Sequence, residues 1–89
     1  MIRRFEAHKS AQCYIKEYDN GNKVLVSYRT EVVIIEENWV EVTGLYSMTT
    51  RRHIGWFMAE IGETYQFAKT LYENHVKFNL VTGEVQPIG

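Results

Sequence analysis

The side chains best suited to binding chemistry crowd the segment Tyr46-Ser47-Met48-Thr49-Thr50-Arg51-Arg52-His53-Ile54. The pattern predicts a strand end followed by a helix, with Thr49 or Thr50 as N-cap, because a threonine hydroxyl can accept a hydrogen bond from a nearby backbone N–H. A helix start carries free N–H groups and a partial positive charge, which attract anions. Arg51 and Arg52 add to that charge at a cost of roughly a few tenths of a kcal/mol. A phosphate or carboxylate of a partner would relieve this cost.

Trp56 shares the predicted helix face of Arg52 and His53, which precede it by four and three residues. With Ile54 as the buried direction, the helical rotation places Trp56 on the opposite side of the helix. A tryptophan beside an arginine and a histidine on an outward face is typical of an interaction hot spot. The predicted partner-binding residues are Arg51, Arg52, His53 and Trp56.

Each of these predictions has a structural alternative. In the alternative for the two arginines, they pair with the acids of residues 31–41 on a neighbouring strand, since surface ion pairs are commonplace. Residues 1–11, and Phe5 in particular, could fold over Trp56. The segment 49–53 would then brace the helix start against a strand, and the sequence leaves the two interpretations open.

The remaining reactive side chains form no catalytic or metal-binding pattern. His8, His53 and His75 have no ligand spacing among themselves, and neither CxxC nor HxxxH occurs. Cys13, the only cysteine, is interpreted as a buried strand residue. There is no glycine-rich phosphate loop, GxSxG elbow or paired-carboxylate motif. We therefore expect no enzyme activity, no cofactor and no metal.

Four tyrosines on or beside the predicted strands offer a base-stacking platform, which is the basis of an alternative, nucleic-acid-binding interpretation: Tyr14, Tyr18, Tyr28 and Tyr46. Only three cations accompany them, namely Lys16, Lys23 and Arg29. The whole chain has a net charge of −1, so no global field attracts a polyanion. Nucleic acid is accordingly the less favoured partner.

The composition is that of a small globular domain. The chain has 89 residues, of which 45% are hydrophobic and 24% charged, so we expect a single domain over residues 1–89. The N-terminus lacks the apolar core of a signal peptide, and no apolar run approaches the roughly 20 residues needed to span a bilayer. These features predict a soluble protein of the cytoplasm with no membrane partner.

The first half of the chain has the alternation of β-strands. The predicted elements are a strand over 12–18, a turn at Asp19-Asn20-Gly21-Asn22, a strand over 23–35 bent near 29–31, a turn over 36–38 and a strand over 39–43. Thirteen residues exceed the usual strand length of about 5–6, which is why a bend or bulge is expected in the second strand.

The second half changes to helical spacing. Ile54, Phe57, Met58 and Ile61 form one buried stripe, and the spacing continues over 63–74. Gly62 favours a break, but one kinked helix and two short helices both fit the pattern. A final strand is predicted over 76–82, followed by a tail over 86–89. The sequence therefore predicts an α+β fold: a small antiparallel β-meander, packed on one side by one or two helices, with the final strand returning to the sheet.

Two motifs resemble a small domain family of unknown function found in short proteins of bacteriophages and prophages. These are Ser27-Tyr28-x-Thr30-x-Val32 and Tyr46-Ser47-x-Thr49-Thr50-x-Arg52-His53-Ile54. The resemblance implies a genomic setting rather than a reaction. Short phage proteins of this kind bind a host or defence protein and block it, as anti-CRISPR inhibitors do.

The expected function is therefore a non-enzymatic accessory protein that inhibits a bacterial host or defence protein, a CRISPR effector being one such target. Arg51 departs from the small polar residue expected there, which favours an acidic or phosphate-bearing partner. The alternatives are a nucleic-acid-binding regulatory module and a self-assembling subunit, such as a homodimer.

Overall fold

In the described part of the chain, seven antiparallel strands form one open sheet and two helices pack on one of its faces. The computed structural model of the protein describes residues 1–3 and 12–88. The strands are β1 (Ile2–Arg3), β2 (Cys13–Glu17), β3 (Lys23–Ser27), β4 (Thr30–Glu36), β5 (Trp39–Val42), β6 (Val76–Asn79) and β7 (Val85–Pro87). The helices α1 (Met48–Glu60) and α2 (Tyr65–Glu73) lie between β5 and β6. The chain thus leaves the sheet after β5, crosses its face and returns beside β5, which confirms the predicted α+β architecture.

The core lies between the helices and the inner face of the sheet. Alternate positions of the strands supply one side of it, as the two-residue period of a strand requires. Its members include Cys13, Ile15, Leu25, Val33, Val40, Val42, Ile54, Phe57, Met58, Ala68 and Leu71. The predicted helix stripe is confirmed at Ile54, Phe57 and Met58, each 0% exposed.

The prediction of one long strand over 23–35 is wrong. Ser27 pairs with Thr30, so that Tyr28 and Arg29 form a two-residue hairpin loop between β3 and β4. Tyr28 adopts a left-handed φ of 58°, a conformation that hairpin turns usually assign to glycine or asparagine. A tyrosine at this position conceals the turn in the sequence. The register of β3 and β4 also shifts between Leu25 and Val26, so that Val32 of β4 forms a β-bulge.

Helix α1 begins earlier than predicted. Ser47 is the N-cap, and its Oγ accepts a hydrogen bond from the Thr50 N–H at 3.2 Å. The predicted caps, Thr49 and Thr50, lie inside the helix, and the Thr50 side chain makes tertiary contacts instead. The predicted break is confirmed: Ile61 is the C-cap and Gly62 follows with a left-handed φ of 83°. Two helices therefore form, and Thr64 caps the second through the Phe67 N–H.

The C-terminal segment forms a hairpin rather than a strand and a tail. Strand β6 ends at Asn79, three residues before the predicted end at residue 82. The Asn79 Oδ1 accepts hydrogen bonds from the N–H groups of Val81 and Thr82, at 2.8 and 2.9 Å, and so turns the chain. The predicted tail over 86–89 is wrong because Val85–Pro87 pairs with β6 at the sheet edge, a position that tolerates proline.

Candidate functional site

A buried polar network joins the β3–β4 hairpin to the start of α1. The Ser27 Oγ lies 2.7 Å from the His53 Nδ1 and 3.0 Å from the Thr50 Oγ1. The Ser47 Oγ donates to the Thr50 Oγ1 at 3.3 Å. Ser27 and His53 are each 1% exposed, and Thr50 is 4% exposed. Each of these side chains is fixed by at least one other, so the network ties the helix start to the sheet.

One arrangement of protons satisfies the whole network. Ser47 donates to Thr50, Thr50 donates to Ser27, and Ser27 donates to the His53 Nδ1. Each hydroxyl then has one acceptor, and the neutral imidazole carries its proton on Nε2. Burial lowers the pKa of His53, which favours this neutral form. Protonation of Nδ1 would require the Ser27 Oγ to accept from His53, and the hydrogen bond between Ser27 and Thr50 would then have to reverse its direction.

The serine–histidine contact is enclosed within the helix–sheet junction. Its length is typical of a nucleophile and its base, but the Ser27 Oγ is enclosed and shared between two partners. No substrate reaches that oxygen without opening the helix–sheet junction. The structure therefore favours the brace interpretation for this part of the 49–53 segment. It places His53 inside the protein, where a partner cannot touch the side chain without a rearrangement.

The imidazole of His53 lies between two aromatic rings. Its centroid is 5.8 Å from that of Tyr28 and 5.3 Å from that of Trp56, with tilted geometry in both cases. Tyr28 is half exposed, and Trp56 is half-buried against the core. The predicted outward position of Trp56 is thus only partly correct: one side of the ring contributes to the interior and the other faces a groove.

That groove runs between α1 and α2. It encloses about 470 Å³ and is lined by Met48, Arg51, Arg52, Gly55, Trp56 and Tyr65. Three of the four predicted partner-binding residues line it, and His53 lies behind it. Met48 and Gly55 were missed, although their spacing from Arg52 marks a second helical stripe. Tyr65 was missed because it comes from α2, across a break that sequence periodicity left undecided.

The groove is rimmed by positive charge. Among the described residues, neither the Arg51 nor the Arg52 guanidinium has a hydrogen bond or ion pair. The alternative that these arginines pair with residues 31–41 is therefore not what the structure shows. Glu31 instead accepts a hydrogen bond from Lys16 at 3.3 Å, which raises the pKa of Lys16. The first turn of α1 contains no acidic residue, so nothing there offsets the arginines.

The other candidate features lie apart from the groove. Cys13 is buried in the core, as predicted. Tyr18 and Tyr28 lie at the turns before and after β3, at opposite ends of that strand, so the tyrosines do not form one continuous platform. Within residues 1–3 and 12–88, no three histidine, cysteine or acidic side chains are grouped to hold a metal ion. The predicted cover of Trp56 by Phe5 lies outside the described residues.

Neither helix of the described chain has the length and apolar character needed to cross a membrane. Together, the sheet, the buried polar network at the start of α1 and the open groove along α1 characterise a small α+β protein.

The chain belongs to a protein family of unknown function, DUF8033, whose sequence model matches residues 3–74. The match spans both motifs, the polar network and every groove residue. No curated protein and no solved structure matches the chain.

Proposed function

We propose that this protein is a non-enzymatic binding protein whose partner docks in the α1–α2 groove. The observation that carries the proposal is an open apolar groove flanked by the Arg51 and Arg52 guanidinium groups, which have no ion pair among the described residues. Aromatic and arginine side chains are the types that dominate binding energy at protein interfaces. The arginines supply electrostatic steering, and Trp56, which lines the groove, supplies an aromatic contact surface.

The partner class proposed is a bacterial host or defence protein that is inhibited by occlusion, with a CRISPR effector as one candidate. This part is supported by the resemblance of residues 27–32 and 46–54 to short phage-encoded domains. A cytoplasmic site of action in the bacterial cell belongs to the same proposal. The enclosed Ser27 Oγ supports the non-enzymatic part, because the one nucleophile–base pair of the described chain is inaccessible.

Affinity capture of the tagged full chain from a bacterial lysate, with and without nuclease, tests this proposal. Three baits are compared by mass spectrometry: the wild type, Arg52→Glu in the groove, and Lys23→Glu at the far end of β3. The last two carry the same change in net charge, so a general electrostatic effect would alter both alike.

We expect a protein that the wild type and Lys23→Glu enrich, that Arg52→Glu loses, and that survives nuclease. Enrichment that disappears with nuclease would replace the proposal by the nucleic-acid alternative. Equal capture by all three baits would show that the groove is not the binding surface.

A further inference from the structure

Gly55 forms part of the groove wall, and the described fold does not require a glycine there. The residue lies in the middle of α1, where glycine destabilises a helix relative to alanine. A Cβ built at Gly55 would meet only the Tyr65 Cβ within 4 Å, at 3.7 Å, an ordinary van der Waals contact. Its φ lies outside the left-handed region, unlike those of Gly62 and Gly83. The structural consequence of the missing side chain is a deeper groove between Trp56 and Tyr65.

The residues that line the groove are complementary to a ligand that carries both negative charge and an apolar group. Among the described residues, the charged ones that line it are Arg51 and Arg52, and the positive end of the α1 dipole lies beside them. Guanidinium groups pair with carboxylates in bidentate geometry. The other lining residues, Met48, Trp56 and Tyr65, offer a thioether and two aromatic surfaces around the open position at Gly55.

We propose that the occupant of the groove is a short linear segment of a partner protein, carrying carboxylates and one large apolar side chain. The apolar side chain packs over Gly55 between Trp56 and Tyr65, and the carboxylates pair with Arg51 and Arg52. This inference rests on the proposed function and adds to it the chemistry of the partner.

Charge argues against two other occupants. A twofold dimer through the groove would place the same patch of each copy against the other, bringing Arg51 and Arg52 close to their own counterparts. A nucleic acid strand tracks a continuous cationic path, whereas the described residues give the groove two cations, in a chain whose net charge is −1. An acidic segment can pair with both arginines through only a few carboxylates.

The test is selection of peptides from a displayed library of short random sequences on the immobilised full chain. Enriched peptides are synthesised with a fluorescent label, and their dissociation constants are measured by anisotropy. The proteins compared are the wild type, Gly55→Leu, Arg51→Glu, Arg52→Glu and the control Lys23→Glu. Gly55→Ala is included because its small side chain is accommodated by the fold, and circular dichroism confirms the folded state of each variant.

We expect the enriched peptides to be acidic and to share one aromatic or large aliphatic residue. Binding should weaken by about tenfold or more in Gly55→Leu and in each arginine variant, less in Gly55→Ala, and not in Lys23→Glu. A peptide with its apolar residue replaced by alanine should lose a similar factor.

Peptides that are neutral or basic, or that bind folded Gly55→Leu as well as the wild type, would overturn the inference. So would an empty selection, or concentration-dependent self-association that Arg52→Glu abolishes. These failures are distinguishable from failure of the proposed function: a folded protein captured from lysate in an Arg52-dependent manner would preserve the binding role while excluding a linear acidic segment.

Discussion

Replacing Gly55 by alanine should stabilise the protein, although the residue lines the proposed binding groove. In a helix interior glycine is less favourable than alanine by about 0.8–1.0 kcal/mol, because it loses more backbone entropy on folding. The added Cβ would lie 3.7 Å from the Tyr65 Cβ, so no steric cost offsets this gain. For a domain of this size, 1 kcal/mol corresponds to a Tm shift of roughly 4–8 °C. We expect Tm to rise by about 3–8 °C in Gly55→Ala.

Thermal unfolding followed by far-ultraviolet circular dichroism measures the shift, and Gly62→Ala is the matched control. Gly62 also has open space around its Cβ position, but its φ is +83°. The same chemical change should therefore destabilise the protein there by about 1–2 kcal/mol of left-handed backbone strain, and so lower Tm. A fall in Tm for Gly55→Ala would refute the reasoning, since it would mean that packing or backbone conformation requires glycine and that groove depth is incidental.

Two further predictions concern Gly44, which precedes α1, and His53, which is buried within it. Gly44→Ala should lower the free energy of unfolding by about 0.5–1.5 kcal/mol, because its Cβ would lie 2.8 Å from the Tyr46 ring and displace the Tyr46–Thr43 hydrogen bond. Urea titration measures this cost, which should vanish in a Tyr46→Ala background. A cost that persists in that background would contradict the assigned clash. Stability should also fall as pH drops below about 6.5, because the lowered pKa of His53 lets the unfolded state bind its proton first. Urea titrations on either side of that pH should show a smaller change in the free energy of unfolding for His53→Asn than for the wild type, because the amide oxygen can replace Nδ1 as acceptor but does not titrate. An unchanged pH dependence in this variant would assign the effect to other groups.

The parts of the fold that were predicted correctly have clear signals in the sequence. The stripe of Ile54, Phe57 and Met58 repeats over two turns, and Gly62 has the left-handed φ that ends a helix. The hairpin loop at Tyr28 was missed because it rests on a single left-handed tyrosine. Its stability must come from the strand pairing and ring contacts around it, which local propensity does not contain.

In the candidate site, too, some residues were placed correctly by local spacing and others depend on tertiary packing. Helical spacing placed Arg52 and Trp56 on one face, and both line the groove. The same spacing placed His53 beside them, and the ring contact with Trp56 agrees, yet His53 is enclosed by the hairpin. Its burial depends on Ser27, which lies 26 residues earlier in the chain, so no local pattern could predict it. Tyr65 reaches the groove only through the packing of α2 on α1.

The buried polar network accounts for several residues of the two sequence motifs, 27–32 and 46–54. Ser27, Thr50 and His53 belong to the two motifs and are buried in the helix–sheet junction. Such residues specify a scaffold, because each hydrogen bond requires the others to be in place. The groove is lined instead by Met48, Arg51, Gly55, Trp56 and Tyr65, which the motifs leave unspecified or do not reach, and by Arg52 alone among their specified residues. The two motifs therefore describe the brace more than the groove, so that the chemistry of a partner must be determined from the groove residues themselves.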